Sequence, residues 1–354
     1  MFLFKNNKNK KIILLTLLAV FLLILTACGN DAEELPQAED NAFLMDTLVQ
    51  MQAHGENAEA AVAESMERIR EIENLMSKTI ETSDIYKLNN NPNQEIEISN
   101  ESKTVLEKSQ NYAEMTDGDF DPTIGALVEL WGIGSKEAGV PTEAEIKNAL
   151  ENVGYKHLII NDKTALIDKE GVRLDLGGIA KGYAAEEVKK IVEEHNVESA
   201  FVNLGGNVLV IGDKVDGSSW KIGIQDPRQG RGNVMAIVDA VDQTIVTSGN
   251  YERYFEEDGE LYHHILDPKT GYPARNNLLS VSIISENSFD ADALSTAVYV
   301  MGLEKGMNFI ENLENIDVMF ITEKLDVYLS SGLKDIVEIN DSDFNIIEGE
   351  NFAN

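Results

Sequence analysis

Short apolar runs punctuated by glycine, between residues 199 and 249, constrain the fold of this chain more than any other feature. The runs SAFVNLGGNVLVIG, WKIGIQ, VMAIVDA and QTIVTSG are rich in β-branched residues, which is typical of strands. Helical spacing of apolar residues occurs elsewhere, for example in residues 58–78 and in DADALSTAVYVMG. Because helices and strands do not alternate strictly, the sequence predicts an α+β fold, with a helical N-terminal lobe before about residue 150.

An apolar segment at the N-terminus predicts an export signal. Four lysines precede the sixteen uncharged residues IILLTLLAVFLLILTA, which suit a signal-peptide core and are short for a spanning helix of about 20 residues. The run ends in LTAC, where Cys28 is the only cysteine of the chain. This stretch resembles a bacterial lipobox, which implies removal of residues 1–27, lipidation of Cys28 and anchoring on the extracytoplasmic face of the cell membrane. A plain signal anchor with an incidental cysteine is the alternative.

Charge and composition divide the rest of the chain. The net charge of −33 predicts a surface that repels phosphate backbones, so nucleic acid is not an expected partner. Residues 28–41 are acidic and predict a solvated tether, and residues 42–335 predict the folded domain. Residues 336–354 are acidic and weakly patterned, and they predict a loosely held tail.

The stretch DLGGIAKGYAAEE (residues 175–187) suggests an anion site at the start of a helix. Asp175 can accept hydrogen bonds from the polar edge of a ligand, and Gly178 lets the backbone approach that ligand closely. Lys181 can neutralise a phosphate. Taken alone, a capped helix start with a solvated lysine is the simpler interpretation.

Two further stretches contain candidate ligand-binding residues. FLMDTLVQM places Met45 and Thr47 on a strand-like run, for which an ordinary edge strand is the simpler interpretation. GDFDPTIGALVELWG places Asp119 and Asp121 on either side of Phe120. These acids suit hydrogen bonds to a heterocycle or a ribose, and a helix-capping turn explains them equally well.

Two last stretches contain candidate catalytic and metal-binding groups. In DADALSTA, Asp292 and Thr296 are four residues apart and share one face of a helix, where their oxygen atoms suit Mg²⁺. A helix cap and a buried threonine are the simpler interpretation. In ELYHHILDPKTG, His263 and His264 precede a tight turn, where a histidine can act as a general base or be structural. Ser248 offers a hydroxyl to phosphate oxygens.

Seven stretches, in order, resemble the family of ApbE-type FAD:protein FMN transferases. The stretches are FLMDT, GDFDPTIGALVELWG, LDLGGIAKGYAAE, FVNLGGN, TSGNYERYF, HHILDPKTGYP and ADALSTAVYVMG, and the resemblance covers nearly all of the chain from residue 43 to about residue 333. The resemblance implies mixed sheets flanked by helices. It also implies FAD as a substrate, whose FMN part passes to a Ser or Thr hydroxyl of an extracytoplasmic partner protein while AMP leaves.

The resemblance also implies roles for individual residues. His264 is implied as the base that deprotonates the acceptor hydroxyl. A Mg²⁺ ion is implied at Asp292, Thr296, Ser295 and the carbonyl of Gly178. The residues implied at the FAD site are Met45, Thr79, Asp119, Phe120, Asp121, Asp175, Lys181 and Leu266.

The sequence departs from the family pattern at several positions. Thr79 stands where many members have an aromatic residue near the adenine, and Ser295 stands where some have a second metal-site Asp. A looser adenine pocket would favour water as the acceptor. Three functions therefore remain open: the transferase, a magnesium-dependent FAD pyrophosphatase, and a flavin-binding lipoprotein without catalysis. The set of His264, Asp292 and Thr296 favours the two enzymes, because a binder needs none of them.

Overall fold

The protein is described by a computed structural model that covers residues 35–230 and 232–347. The predicted signal peptide, Cys28 and the first part of the tether lie outside these described residues. Of the first of two compact units, residues 1–35, only Leu35 is described, and the second unit begins at Pro36. Within the described part, no helix is both long enough and apolar enough to cross a membrane.

The described residues contain eight α-helices and four β-sheets, which makes the fold α+β as predicted. The helices are α1 (Ala58–Met76), α2 (Asp84–Asn90), α3 (Asn100–Met115), α4 (Gly125–Trp131), α5 (Glu143–Leu150), α6 (Ala180–Glu194), α7 (Ser288–Met301) and α8 (Leu303–Ile310).

The largest sheet has nine strands in the order β1-β2-β6-β7-β10-β13-β14-β15-β17. Neighbouring strands in it are antiparallel, except for the parallel pair β15–β17. Its strands are β1 (Gln37–Leu44), β2 (Thr47–His54), β6 (Ser199–Leu204), β7 (Asn207–Ile211), β10 (Thr244–Gly249), β13 (Leu278–Ser285), β14 (Ile316–Thr322), β15 (Asp326–Leu329) and β17 (Asn345–Ile346).

Three smaller sheets complete the fold, in the orders β16-β9-β8, β3-β5-β4 and β11-β12. Their strands are β3 (Ile96–Glu97), β4 (Leu158–Ile160), β5 (Thr164–Ile167), β8 (Trp220–Gln225), β9 (Val234–Ala240), β11 (Tyr254–Glu257), β12 (Glu260–His263) and β16 (Val337–Ile339).

Two apolar cores are formed around the nine-stranded sheet. One contains buried residues of α1, α6 and α7 together with strand residues such as Val202 and Val281. The other contains Val210 and Ile284 of the large sheet together with Ile222 and Met235 of the smaller β16-β9-β8 sheet. Alternating burial along the strands places the two sets on opposite sides of the large sheet.

Five of the eight described helices, α1 to α5, lie in the N-terminal part for which a helical lobe was predicted. Residues 36–347 of the described chain belong to one compact unit. Helix α1 contributes Ile69 and Ile72, both fully buried, to the same core as α6 and α7. The helical N-terminal part therefore shares its core with the rest of the domain. Thr142 and Glu145 form a capping box at the start of α5.

The predicted tether and tail both overlap strands of the large sheet. The tether was extended to residue 41, but β1 begins at Gln37 and pairs along its whole length with β2. The tail was predicted from residue 336, but β16 and β17 lie within it. Arg228 fastens this segment, since its guanidinium donates to Asp341 at 2.6 Å and lies 4.7 Å from the ring centre of Phe344.

Candidate active site

The strand register brings several predicted residues to one end of the large sheet. Strand β7 begins at Asn207, which pairs with Val246 of β10, so the last residues of β10 lie at the same end. The β1–β2 turn also lies there, because a Cβ atom on Gly205 would be 1.9 Å from Oγ1 of Thr47. Ser248, near the end of β10, contacts Ser295 of α7 at 2.9 Å between the two hydroxyls.

Met45 lies in a turn rather than in the strand-like run predicted for residues 43–51. Leu44 pairs with Thr47, and the two residues between them have positive φ angles, 51° for Met45 and 58° for Asp46. Such a two-residue turn matches the twist of a hairpin but is ordinarily built with Asn or Gly. The amide of Met45 donates to Oε1 of Glu73 at 2.8 Å, which holds the turn against α1.

The glycine stretch forms a tight turn that leads into α6. Oδ1 of Asp175 accepts a hydrogen bond from the amide of Gly177 at 2.8 Å. Its own amide donates to the carbonyl of Pro122 at 2.8 Å, which links this turn to the stretch that contains Phe120. Lys181, in the first turn of α6, donates to the carbonyl of Gly177 at 2.9 Å. The prediction that residues 175–181 form a turn at a helix start is confirmed.

Helices α6 and α7 cross in direct backbone contact at Gly182. A Cβ atom at this position would lie 2.3 Å from the carbonyl oxygen of Ser288. The amide of Gly182 donates to Oδ2 of Asp292 at 2.9 Å, and Nζ of Lys181 lies 3.5 Å from Oδ1 of the same carboxylate. The crossing therefore joins the glycine turn to the predicted metal residue.

Thr296 and Gly178 are neighbours across this crossing. A Cβ atom on Gly178 would lie 3.1 Å from Oγ1 of Thr296 and 3.4 Å from Cε2 of Phe120. The absence of a side chain at Gly178 therefore leaves space between the hydroxyl and the turn. Ser295 is buried, and its hydroxyl contacts the carbonyl of Asp292 at 2.9 Å in addition to Ser248.

The residues predicted to bind magnesium fit a hard cation. Among the described residues there is no group of three or more His, Cys, Asp or Glu side chains that could hold a metal ion. The set at the crossing is of another kind: one carboxylate (Asp292), one hydroxyl (Thr296) and one carbonyl (Gly178). Mg²⁺ is commonly held by one or two carboxylates, with substrate phosphates and water completing its shell. Nζ of Lys181 lies 3.5 Å from Oδ1 of Asp292, so a cation held at this carboxylate would share it with the lysine.

His264 is held by hydrogen bonds that leave the lone pair of one ring nitrogen available to accept a proton. Its backbone amide donates to the carbonyl of Arg253 at 3.1 Å, and its ring Nδ1 lies 3.2 Å from the same oxygen. Because a carbonyl only accepts hydrogen bonds, Nδ1 carries the proton and Nε2 keeps its lone pair. Burial lowers the pKa of His264 to about 3, with further lowering by the charges of Arg253, His263 and Lys181. The imidazole is therefore neutral at physiological pH.

His263 is structural. It is buried, its Nε2 donates to the carbonyl of Ala274 at 3.0 Å, and its Nδ1 accepts from the amide of Ile265 at 3.3 Å. Burial lowers the pKa of His263 to about 4. Both nitrogens are used within the fold, so only His264 of the pair remains a candidate base.

The two acids beside Phe120 are used within the protein. Oδ1 of Asp121 accepts from the amide and the hydroxyl of Thr123, and Oδ2 accepts from the amide of Tyr155 at 2.9 Å. Burial raises the pKa of Asp121, against the effect of these hydrogen bonds. Asp121 therefore closes a turn with Thr123, but it does not cap α4, whose N-cap Ile124 has no side-chain hydrogen bond.

Asp119 is buried between two lysines. Its carboxylate contacts Lys269 of the DPKTG turn at 2.8 Å and also Lys305 of α8. Leu266, three residues before Lys269, forms an isolated bridge with Pro273 and is buried in the small core around Trp131.

Thr79 is exposed and lies just after α1. Its hydroxyl is 3.0 Å from the hydroxyl of Ser77. Its neighbour Lys78, which the sequence analysis did not single out, contacts Oδ2 of Asp175 at 2.6 Å.

Hydrogen bonds, some of them through Gly177, and close approaches at Gly178 thus bring together Asp175, Gly178, Lys181, Asp292, Thr296 and Phe120. Met45, Thr79, Leu266 and His264 belong to neighbouring loops and have no direct hydrogen bond to that group within the described residues. The structure adds Lys78 and Lys305, which lie in no motif, and Arg253, which lies in TSGNYERYF but was not predicted as a site residue. Two surface recesses of about 480 and 420 Å³ contain none of the predicted residues.

The comparisons with known proteins agree with this geometry. The model of the ApbE family matches residues 45–320, and the chain belongs to the ApbE family. It is 34% identical over 341 residues to the FAD:protein FMN transferase of Treponema pallidum (strain Nichols), covering 90% of this chain and 93% of that protein. It is 33% identical over 311 residues to the FAD:protein FMN transferase of Klebsiella pneumoniae (strain 342), covering 87% of this chain and 96% of that protein.

Solved structures show the same fold. The ApbE protein of Thermotoga maritima superimposes with a TM-score of 0.79 at 37% identity, covering 85% of this chain and 99% of that one. The flavin transferase ApbE of Vibrio cholerae gives a TM-score of 0.77 at 30% identity, again covering 85% and 99%. The mixed sheets flanked by helices that the resemblance implied are therefore confirmed.

Proposed function

We propose that this chain is an FAD:protein FMN transferase, which moves the FMN part of FAD to a protein hydroxyl and releases AMP. The observation that carries the proposal is the alignment of 90% of the chain with a relative of that name. The site supports it, because a neutral histidine, a glycine turn with a lysine and a set of hard oxygen atoms occupy neighbouring positions.

In this reaction His264 acts on the acceptor. A hydroxyl is a weak nucleophile until a base removes its proton, and Nε2 of His264 has the free lone pair to do so. The carbonyl of Arg253 stabilises the resulting imidazolium through Nδ1–H. The acceptor oxygen forms a bond to the phosphorus of the FMN half while the bond from that phosphorus to the AMP oxygen breaks. The proton ends on the departing AMP or in solvent.

The glycine turn and the helix crossing act on the diphosphate. Lys181 supplies a positive charge close to where negative charge grows on the leaving group. Asp292, Thr296 and the carbonyl of Gly178 would hold a Mg²⁺ ion, which supplies neutralisation of the phosphate oxygens when bound. Gly178 keeps this place open, because any side chain there would approach the hydroxyl of Thr296.

The acceptor and the location of the enzyme are part of the proposal. We infer a Ser or Thr of an extracytoplasmic protein as acceptor, and a lipid on Cys28 as membrane anchor. The support is the lipobox-like LTAC after an apolar run. Strand β1 begins nine residues after Cys28, so the anchor would hold the domain within about 30 Å of the membrane even when fully extended.

Replacing Cys28 by serine is expected to free the protein from the membrane or to leave an uncleaved precursor. Without the thiol there is no site for the lipid, and two acyl chains are what make such anchoring stable. Membrane fractionation together with the mass of the N-terminal peptide measures this. A wild-type protein that is recovered without lipid in the aqueous fraction would contradict the anchor.

A second candidate function is hydrolysis of FAD to FMN and AMP. The exposed position and small side chain of Thr79 favour it, because they leave this part of the proposed site open to water. One experiment separates the two functions. The protein is incubated with FAD, Mg²⁺ and candidate secreted proteins, and intact mass is measured. A gain of one FMN on a partner supports transfer, whereas AMP release without any labelled partner supports hydrolysis.

The rate of FMN transfer is expected to show no inflection near the ordinary histidine pKa. A base must be unprotonated, and the pKa of His264 is lowered to about 3, so the base form persists as the pH falls through neutrality. The rate at low acceptor concentration should therefore stay level between about pH 5.5 and 8 as far as this group is concerned. An acid limb centred near pH 6.5 that disappears in His264→Ala would show an ordinary, solvated imidazole instead.

A further inference from the structure

Lys78 and Asp175 form an ion pair between two segments that are 97 residues apart in the chain. Nζ of Lys78 lies 2.6 Å from Oδ2 of Asp175, and the two side chains are 32% and 17% exposed. Lys78 follows the end of α1 by two residues, whereas Asp175 opens the glycine turn before α6. The pair therefore ties the end of one helix to the beginning of the other.

The two carboxylate oxygens of Asp175 have different partners. Oδ1 accepts from the amide of Gly177 and shapes the turn, while Oδ2 is the atom that Lys78 holds. The backbone amide of Asp175 is bonded to Pro122, so the residue is fixed at its main chain as well. Lys78 consequently determines the orientation of the carboxylate rather than the path of the backbone.

The charge of Lys78 also favours the ionised form of the Asp175 carboxylate. Burial alone would raise the pKa of Asp175, but the charge and hydrogen bond of Lys78, with smaller help from Gly177 and Arg253, hold it below its ordinary value. Without Lys78, an inward-facing carboxylate would lose its closest positive charge. The chain has 62 acidic and 29 basic side chains, so the net charge of the surrounding surface does not substitute for the positive charge of Lys78.

We propose that Lys78 is a positioning residue that acts through Asp175 to set the affinity of the glycine turn for FAD. This rests on the proposed function, which assigns the turn to the FAD site. Lys78 has no direct contact with His264, Asp292 or Thr296 in the described structure, so its effect should fall on substrate binding and not on the transfer step.

A double-mutant cycle tests this inference by FAD titration calorimetry and steady-state AMP release. Lys78→Met keeps the length of the side chain without its charge, and it should raise the Kd and KM for FAD about tenfold, on the scale of one partly exposed charge-assisted hydrogen bond. The kcat should change less than about twofold, since no interaction made only in the transition state is lost. Lys78→Arg keeps the charge and should restore most of the affinity.

The combination with Asp175→Asn shows whether Lys78 acts through that residue. If it does, the double variant Lys78→Met/Asp175→Asn binds FAD about as well as Asp175→Asn alone. Lys87→Met is the matched control, because Lys87 also pairs with a largely buried acid, Asp84, at 3.8 Å. It should bind FAD like the wild type.

Two results would overturn the inference. One is wild-type affinity in Lys78→Met, and the other is a double variant whose loss equals the product of the two single losses. Failure of the proposed function looks different. In that case the wild-type protein either does not bind FAD or binds it without releasing AMP. The double-mutant cycle uses only the FAD affinities from the titrations, so it does not depend on whether FMN transfer occurs.

Discussion

Replacing His264 by alanine is expected to lower the rate of FMN transfer by about 10² to 10⁴, the usual contribution of a general base. The binding of FAD should persist, because the turn of Asp175 to Lys181 and the helix crossing are untouched. The loss should appear in kcat and in kcat/KM alike, since proton removal belongs to the transition state. Titration of FAD and a transfer assay followed by intact mass measure the two quantities separately.

His195→Ala is the control for this variant. His195 lies at the end of α6, 14 residues beyond Lys181 and so about 21 Å along the helix, where it pairs with Glu64. It should transfer FMN like the wild type. If His264→Ala retained full transfer while His195→Ala did too, another group would be the base and the arrangement with Arg253 would be structural.

Replacing Asp292 by asparagine is expected to be the second large effect. Asparagine can still accept a hydrogen bond from the amide of Gly182, so the helix crossing is kept while the negative charge is removed. AMP release at fixed Mg²⁺ should fall by about 10² to 10³, as expected when charge stabilisation of a leaving group is lost. Wild-type activity should vanish in EDTA and should be supported by Mn²⁺ as well as Mg²⁺.

The dependence on Mg²⁺ concentration distinguishes a metal ligand from a structural acid. Asp292→Asn should need at least about tenfold more Mg²⁺ for half its maximal rate, because one ligand charge is missing. Asp239→Asn, which removes an exposed acid paired with Lys221, should leave this dependence unchanged. An unaltered Mg²⁺ curve in Asp292→Asn would remove the metal role of this residue.

The parts of the fold that follow local rules could be predicted from the sequence. Runs of β-branched residues gave the strands from residue 199 to residue 249, and the spacing of Asp292 and Thr296 placed both on α7. The β11–β12 hairpin was also predictable, since Asp258 and Gly259 are a favoured two-residue turn and have φ angles of 52° and 82°. The sequence analysis did not use that signal.

Other features depend on partners far away in the chain. Met45 and Asp46 adopt positive φ angles without being glycine or asparagine, and Glu73 of α1 is what holds their turn. The described part of the acidic tail, residues 336–347, is held by Arg228, more than a hundred residues earlier, which binds Asp341 and Asp343. Local composition predicts solvation for such acids and cannot anticipate the arginine.

The residues of the candidate site also fall into these two groups, those predictable from local sequence and those that depend on distant partners. Residues that belong to a short local motif, such as Gly178 just before a helix, could be predicted from the sequence. The second oxygen of Asp121 accepts from the amide of Tyr155, 34 residues later, and the ion pair of Asp175 depends on Lys78. Whether an acid faces a ligand or a neighbour is decided by which distant segment packs against it.

The contact of α6 with α7 at Gly182 has a consequence for the time course of binding. No side chain lies between the two backbones at this point. The helices therefore cannot shift or separate without breaking the hydrogen bond from the amide of Gly182 to Asp292. The two sides of the proposed diphosphate site are therefore joined before any ligand arrives, and we expect no open form that has to close first. The binding of FAD is then expected to be a single bimolecular event, whose observed rate rises in proportion to ligand concentration without reaching a plateau.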